Sequence, residues 1–213
     1  MFKAKNRIIW IVTFVLFTLI LNGCNKAEDG EEIPDFKNVN ALKVNDDLSI
    51  TKTLVDSFLE DYYRTDELLK MLSEEANTFN LEYGAGSLVA EKVEEQDGLV
   101  NVVMKFSGRE AYVSYNEAVF FVGTVEVALG NGLRLNQDLV NINDPDKTIS
   151  NDNLSSMGDT YILITNEHHI LSPMTIETFG RISYVTKGIE PWIGRNSVSI
   201  TAIQDDLIYI LFK

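Results

Sequence analysis

LSITKTLVDSFLEDYYRTDELLKMLSEEANTF, residues 48–79, is the stretch on which the fold turns. Leu54, Val55, Phe58, Leu59 and Tyr62 recur at the spacing of one helical face, and Ser49 stands where a helix N-cap would. Thr65 offers a second cap, with Asp66 and Glu67 in the turn where the helix dipole favours acids. Leu68, Leu69, Met71, Leu72 and Ala76 then carry the apolar pattern to about Asn77. On this reading the domain opens with a helical hairpin.

Beyond Gly84 the period changes. Asp97-Gly98 is a hairpin signal, and Val100, Val102, Met104 and Phe106 alternate after it. Residues 110–115 and 118–129 read as strands. The second is apolar on both faces, which predicts a central position in a sheet. Residues 160–165, 175–186, 197–204 and 207–212 read as further strands, with Val198, Ile200 and Ala202 on one face of the third and a wet face opposite. Short turns at Ser107-Gly108, Asn116-Glu117 and Asp205-Asp206 imply antiparallel neighbours. Residues 88–96 fit a strand or a short helix. From Gly130 to Asp159 eleven of thirty residues are Asn or Asp without sustained alternation, which predicts a long polar loop at about 130–159, and such loops are often functional. The expected class is therefore α+β, an N-terminal helical hairpin packed on a curved, mostly antiparallel sheet, as a single domain over 48–213.

Upstream, Lys3, Lys5 and Arg7 precede Ile8 to Leu21, fourteen residues in which only Thr13 and Thr18 are polar. That run is too short to cross a bilayer and fits the apolar region of a signal peptide. It leads directly into Leu21-Asn22-Gly23-Cys24, which resembles the lipobox of bacterial lipoproteins, although Asn22 departs from the usual residue at its position. The resemblance implies a signal peptide over 1–23, cleavage before Cys24, and diacylation of its thiol. Two acyl chains anchor stably where one holds only marginally. The expected location is extracytoplasmic, with a lipid bilayer as partner through Cys24. Residues 24–47 then read as the lipidated cysteine and a flexible acidic tether.

Removing residues 1–23 removes three cations and no acid, taking the net charge from −14 to −17. Binding to a phosphate backbone needs a basic footprint, and no Lys/Arg cluster follows Arg7, so a nucleic-acid partner is not expected. At 45% hydrophobic the chain can bury a sizeable core. It must do so without an internal disulfide, because Cys24 is the only cysteine.

FLEDYYRTDELLKMLSEEA, residues 58–76, resembles the opening of the NTF2-like (cone-shaped α+β) superfamily. The resemblance implies a pocket between helix and sheet, near which Phe58, Tyr62, Tyr115 and Phe121 are placed. Ser49-Ile-Thr-Lys52, Ser114-Tyr-Asn116 and Thr186-Lys187-Gly188 are similar to the motif set of penicillin-interacting serine enzymes, in which Lys52 would stand one helical turn from a nucleophilic Ser49. His168 and His169 are the only histidines. On a strand they point to opposite faces and cannot share a metal, and a surface hairpin tip beside Asn166 and Glu167 is expected. NINDPDKTISND, residues 141–152, carries oxygen ligands but lacks the Gly and Glu of a calcium loop. No cofactor is expected. Trp192, on a loop between strands, is a candidate partner contact. The function expected is a membrane-anchored, non-catalytic binding or accessory domain for an envelope protein or a small ligand. The competing expectation is an enzyme using an NTF2-like pocket, or a Ser-x-x-Lys hydrolase.

Overall fold

The computed structural model describes residues 38–59, 64–171, 173–191, 194–201 and 207–213. The signal-peptide and lipobox residues including Cys24, most of the expected tether, Tyr62, Trp192 and Asp205-Asp206 lie outside them.

Residues 50–57, expected as the first helix, form a strand. Four of these eight residues, Ile50, Thr51, Thr53 and Val55, are β-branched, which restricts their side chains in a helix and suits a pleated surface. Strand β1 (Asn40–Val44) and β2 (Ile50–Ser57) pair antiparallel in the register Val44 to Ile50 and Leu42 to Lys52. Ser49 caps no helix. Its N–H donates to Asp47 Oδ1 and its carbonyl accepts from Asn45 N, both at 2.9 Å, closing the turn between the two strands. The end of the expected tether is thus part of the fold, because β1 is an interior strand.

The second predicted helix exists and runs further, as α1 (Thr65–Tyr83), with Arg64 rather than Thr65 at the N-cap position. Leu68, Leu72, Ala76 and Phe79 pack on the core at helical spacing. Strand β3 (Leu88–Gln96) resolves the ambiguity at 88–96 and joins β4 (Leu99–Phe106) through Asp97 and Gly98. Their φ values of 54° and 75° are those of a two-residue hairpin loop that needs the left-handed region twice. Both β2 and β3 run antiparallel to β4, so α1 is the crossover between two parallel strands on either side of it.

Residues 110–115, expected as a strand, lie in helix α2 (Arg109–Asn116), where Ala111, Tyr112 and Tyr115 fall on one inward face. The strand expected over 118–129 is cut short. Only β5 (Phe120–Thr124) is extended, and the Thr124 hydroxyl then accepts from Val127 N to start α3 (Val125–Gly130). Strand β5 lies at a sheet edge, not at its centre. The expected loop at 130–159 is also replaced: it contains the hairpin β6 (Leu139–Asn141) and β7 (Asp144–Ile149), the short helix α4 (Asn151–Leu154) and a 3-10 turn.

The rest of the described chain comprises β8 (Tyr161–Thr165), α5 (His168–Leu171), β9 (Met174–Thr178), β10 (Ile182–Val185), β11 (Glu190–Pro191), β12 (Ser197–Ile200) and β13 (Ile208–Phe212). The single strand expected over 175–186 is two, in different sheets. Gly180 makes the change of sheet possible, since a Cβ there would sit 2.6 Å from the Lys213 carbonyl carbon.

Two sheets result, of order β11-β12-β9-β1-β2-β4-β3 and β5-β8-β13-β10-β6-β7. Among the described residues every pairing is antiparallel except that of β1 with β9. The main core lies between them, joining Leu42, Ile50, Phe106 and Ile176 of the first sheet to Val122, Leu163, Ile210 and Phe212 of the second. The other face of the six-stranded sheet carries a second core, in which Ile162, Tyr209 and Leu211 meet Val125, Ala128 and Leu154. All five residues of β13 are buried for this reason. The protein is therefore mostly β, and the α+β arrangement of a helical hairpin on one curved sheet does not form. The NTF2-like expectation falls with the hairpin that carried it.

Candidate functional site

On β2, Lys52 falls in phase with Ile50 and Leu54, and it lies opposite Leu42 and Met104 on the neighbouring strands. Residues directly opposite share a face, so its side chain enters the core between the sheets. Only 7% of Lys52 is exposed. An isolated buried ammonium is very costly, and such a group is normally found paired. Lys52 Nζ donates to Asn116 Oδ1 at 2.6 Å and to Glu167 Oε2 at 3.0 Å, and it lies 5.6 Å from the centre of the Tyr112 ring.

Each partner is positioned by its own element. Asn116 closes α2 and is half-buried, and its Nδ2 donates back to the Tyr112 carbonyl at 2.9 Å, which fixes the carboxamide. Glu167 follows β8, with its N–H on the Thr165 hydroxyl at 3.1 Å, and is 1% exposed. Tyr112 is fully buried between Phe106 and Phe120, at ring distances of 5.0 and 4.7 Å. Glu167 Oε1 and the Tyr112 hydroxyl are both enclosed, and the carboxylate lies near enough to the phenol to act on it.

The electrostatics follow from this enclosure. Burial pulls the Lys52 ammonium below the ordinary lysine range, and the Glu167 charge opposes that shift. Burial also pushes the Tyr112 phenol well up, with the nearby Glu167 carboxylate adding to it. Both shifts run towards the neutral form of the group. The arrangement holds a carboxamide and a carboxyl group within reach of one amine, with the amine and the carboxyl group shielded from water.

A second feature is open. A groove of about 400 Å³ lies along the β6–β7 hairpin, with Val140, Ile142, Pro145 and Ile189 as apolar walls and Asp138 and Lys187 as charged members.

The predicted site residues are dispersed. Phe58 and Tyr115 pack on the core between the sheets, whereas Phe121 points to the second core, so these aromatics form no common pocket. Tyr115 instead joins Phe79 and Phe106, each with ring centres 5.5 Å away. Ser49 does not stand one helical turn from Lys52, because Lys52 is on a strand. Its hydroxyl accepts from Asn45 Nδ2 at 3.0 Å. Lys52 and Asn116 do come together, while Lys187 lines the separate groove. The expected hairpin tip at 166–169 is corrected too, since Glu167 and His168 are buried and His168 and His169 lie in α5 with rings 4.1 Å apart. Sequence reasoning missed Glu167 and Tyr112 altogether. One signal was present: if 50–57 is a strand, Lys52 must share the face of Ile50 and Leu54.

Among the described residues no group of three or more His, Cys, Asp or Glu side chains is arranged to hold a metal, and no helix is long and apolar enough to cross a membrane. Comparison with known protein families, with curated proteins and with solved structures gives no match in any of the three.

Proposed function

We propose that this chain is an extracytoplasmic lipoprotein, held to a bacterial membrane by diacylated Cys24, whose β domain binds an envelope partner and catalyses no reaction on it. The observation that carries the binding reading is the groove at the β6–β7 hairpin. Its volume of about 400 Å³ is within the range of ligand sites, and its apolar walls with few charged groups are the usual composition of one. The occupant that suits it is a short apolar segment of a partner protein carrying a charge to face Asp138 or Lys187. A net charge of −17 for residues 24–213 speaks against nucleic acid. The anchor reading rests on the charged start, the apolar run and the Leu21-Asn22-Gly23-Cys24 register.

Both parts are tested in living cells with the full-length protein. A Cys24→Ser variant is expected to leave the membrane fraction and to lose incorporation of labelled fatty acid. Unchanged partition and mobility would overturn the anchor. A photo-cross-linking residue at Ile142 is expected to capture one envelope protein, identified by mass spectrometry, that the same residue at exposed Glu95 does not capture. Equal capture from both positions, or none from Ile142, would overturn the groove as the binding surface.

A further inference from the structure

The Lys52 cluster has a composition that a simple ion pair does not need. One carboxylate opposite one ammonium neutralises the charge, yet a primary carboxamide is brought within 2.6 Å of the same nitrogen, closer than the carboxylate at 3.0 Å. The oxygen contacted is one bond from the electrophilic carbon of that amide. Reacting groups held at such range behave as an intramolecular pair, and effective molarities for well-oriented pairs are very large. Burial lowers the cost of taking a proton from the Lys52 ammonium, against the opposing pull of Glu167. Aromatic rings line one side of the site, with Tyr112 beneath the amine and Phe106 and Phe120 against Tyr112, which keeps water from the amine on that side.

We propose that Lys52 and Asn116 close an intramolecular amide cross-link, with Glu167 as the group that carries the protons. Glu167 first takes one proton from the Lys52 ammonium, leaving a neutral amine beside a neutral carboxyl group. The Nζ lone pair attacks Asn116 Cγ, forming the Nζ–Cγ bond. The Glu167 carboxyl then relays the second proton from Nζ to Nδ2, and the Cγ–Nδ2 bond breaks. One amine and one primary amide become one secondary amide and one ammonia, so no oxidant or co-reactant is required. The ammonia leaves on the side where Asn116 is half-exposed. Glu167 is suited to the relay because Oε2 already holds Nζ and Oε1 is enclosed in the same site.

The placement gives the bond a purpose. Lys52 belongs to the seven-stranded sheet, whereas Asn116 ends the helix that leads into β5 of the six-stranded sheet. The link would close a span of 64 residues and tie the two sheets across their shared core. A chain with a single cysteine has no internal disulfide with which to do the same.

Mass spectrometry of the full-length protein decides the matter. The wild type is expected to weigh less than its Lys52→Arg variant by the residue difference plus one ammonia, about 17 Da, so that any lipid common to both cancels. Digestion is expected to yield a branched peptide joining Lys52 to Asn116. A wild-type mass with no ammonia missing overturns the proposal, whether or not any variant folds. So does a missing ammonia without the branched peptide, as succinimide formation at Asn131-Gly132 would produce, or one that persists in Lys52→Arg. Glu167→Gln is expected to leave Lys52 and Asn116 unjoined. Complete joining in that variant would remove Glu167 from the mechanism.

Discussion

The close approach of Gly180 to Lys213 allows a stability change to be predicted in sign as well as size. In Gly180→Ala, the added carbon would stand 2.6 Å from the Lys213 carbonyl carbon and 2.9 Å from its oxygen, distances at which the backbone must move. That backbone is held by two hydrogen bonds, Arg181 N to Lys213 O at 2.8 Å and Lys213 N to Arg181 O at 3.0 Å. Losing both costs about 2 kcal/mol at about 1 kcal/mol each. Alanine also restricts the unfolded chain, which offsets about 0.4–1 kcal/mol. The net expectation is a loss of roughly 1–2 kcal/mol, or a few degrees in Tm for a domain of this size. Any displacement of Phe212, packed against Tyr161 and Phe179, would add to it. Gly130→Ala is the matched control. It ends α3, its φ is not left-handed, and nothing lies within 4 Å of the added carbon. Only the unfolded-state effect remains, so it is expected to stabilise by about 0.4–1 kcal/mol. Urea unfolding of both variants beside the wild type measures the two values. Shifts of the same sign, or a Gly180→Ala protein at least as stable as wild type, would refute the steric reasoning.

Two further expectations concern other parts of the fold. Glu117 ends α2 at φ 52° with its side chain exposed, so Glu117→Gly should stabilise by about 1 kcal/mol by removing left-handed strain, and no gain in the urea midpoint would count against it. The phenols of Tyr112 and Tyr115 are both raised above the ordinary value of 10.0, first by burial and then by Glu167 and Glu75 respectively. A raised phenol contributes stability that is full below pH 10.0 and is lost as pH climbs above it, because the unfolded state releases the proton first. Tyrosinate absorbance during alkaline titration should therefore show a late fraction appearing together with unfolding. Ionisation of every tyrosine ahead of any loss of structure would contradict the burial of these two rings.

Elements whose pattern fits one period were readable from the residues alone. The Asp97-Gly98 turn, the alternation of β4 and the apolar run of β13 are of this kind, and so is the long amphipathic run of α1. The errors lie where two periods fit. Leu54, Val55 and Phe58 suit a helical face, but the β-branched residues between 50 and 55 and the ladders offered by β1 and β4 decide for a strand. Residues 110–115 failed in the opposite direction: Tyr112, Val113 and Tyr115 favour strands by type, yet their spacing with Ala111 lays a helix on the core. Between Gly130 and Asp159 the abundance of Asn and Asp described turns correctly but hid the short strands between them. The polar cluster was not legible for a different reason. Its members stand at positions 52, 112, 116 and 167, and only the pairing of the two sheets makes them neighbours.

The order of the strands bears on how the chain can be made. Strand β9 supplies one flank of β1, and Asn40 reaches across 131 residues of chain to the Leu171 carbonyl. Strand β13 fills the middle of its sheet, between β8 and β10. Both insertions come late in the sequence, so a nascent polypeptide that has emerged only as far as β8 can complete neither sheet. Contacts of such long range are slow to form, and the waiting strands present open edges meanwhile. Closure of both sheets therefore waits on the C-terminal third of the described chain, and until β9 and β13 arrive the strands they will flank keep unpaired edges.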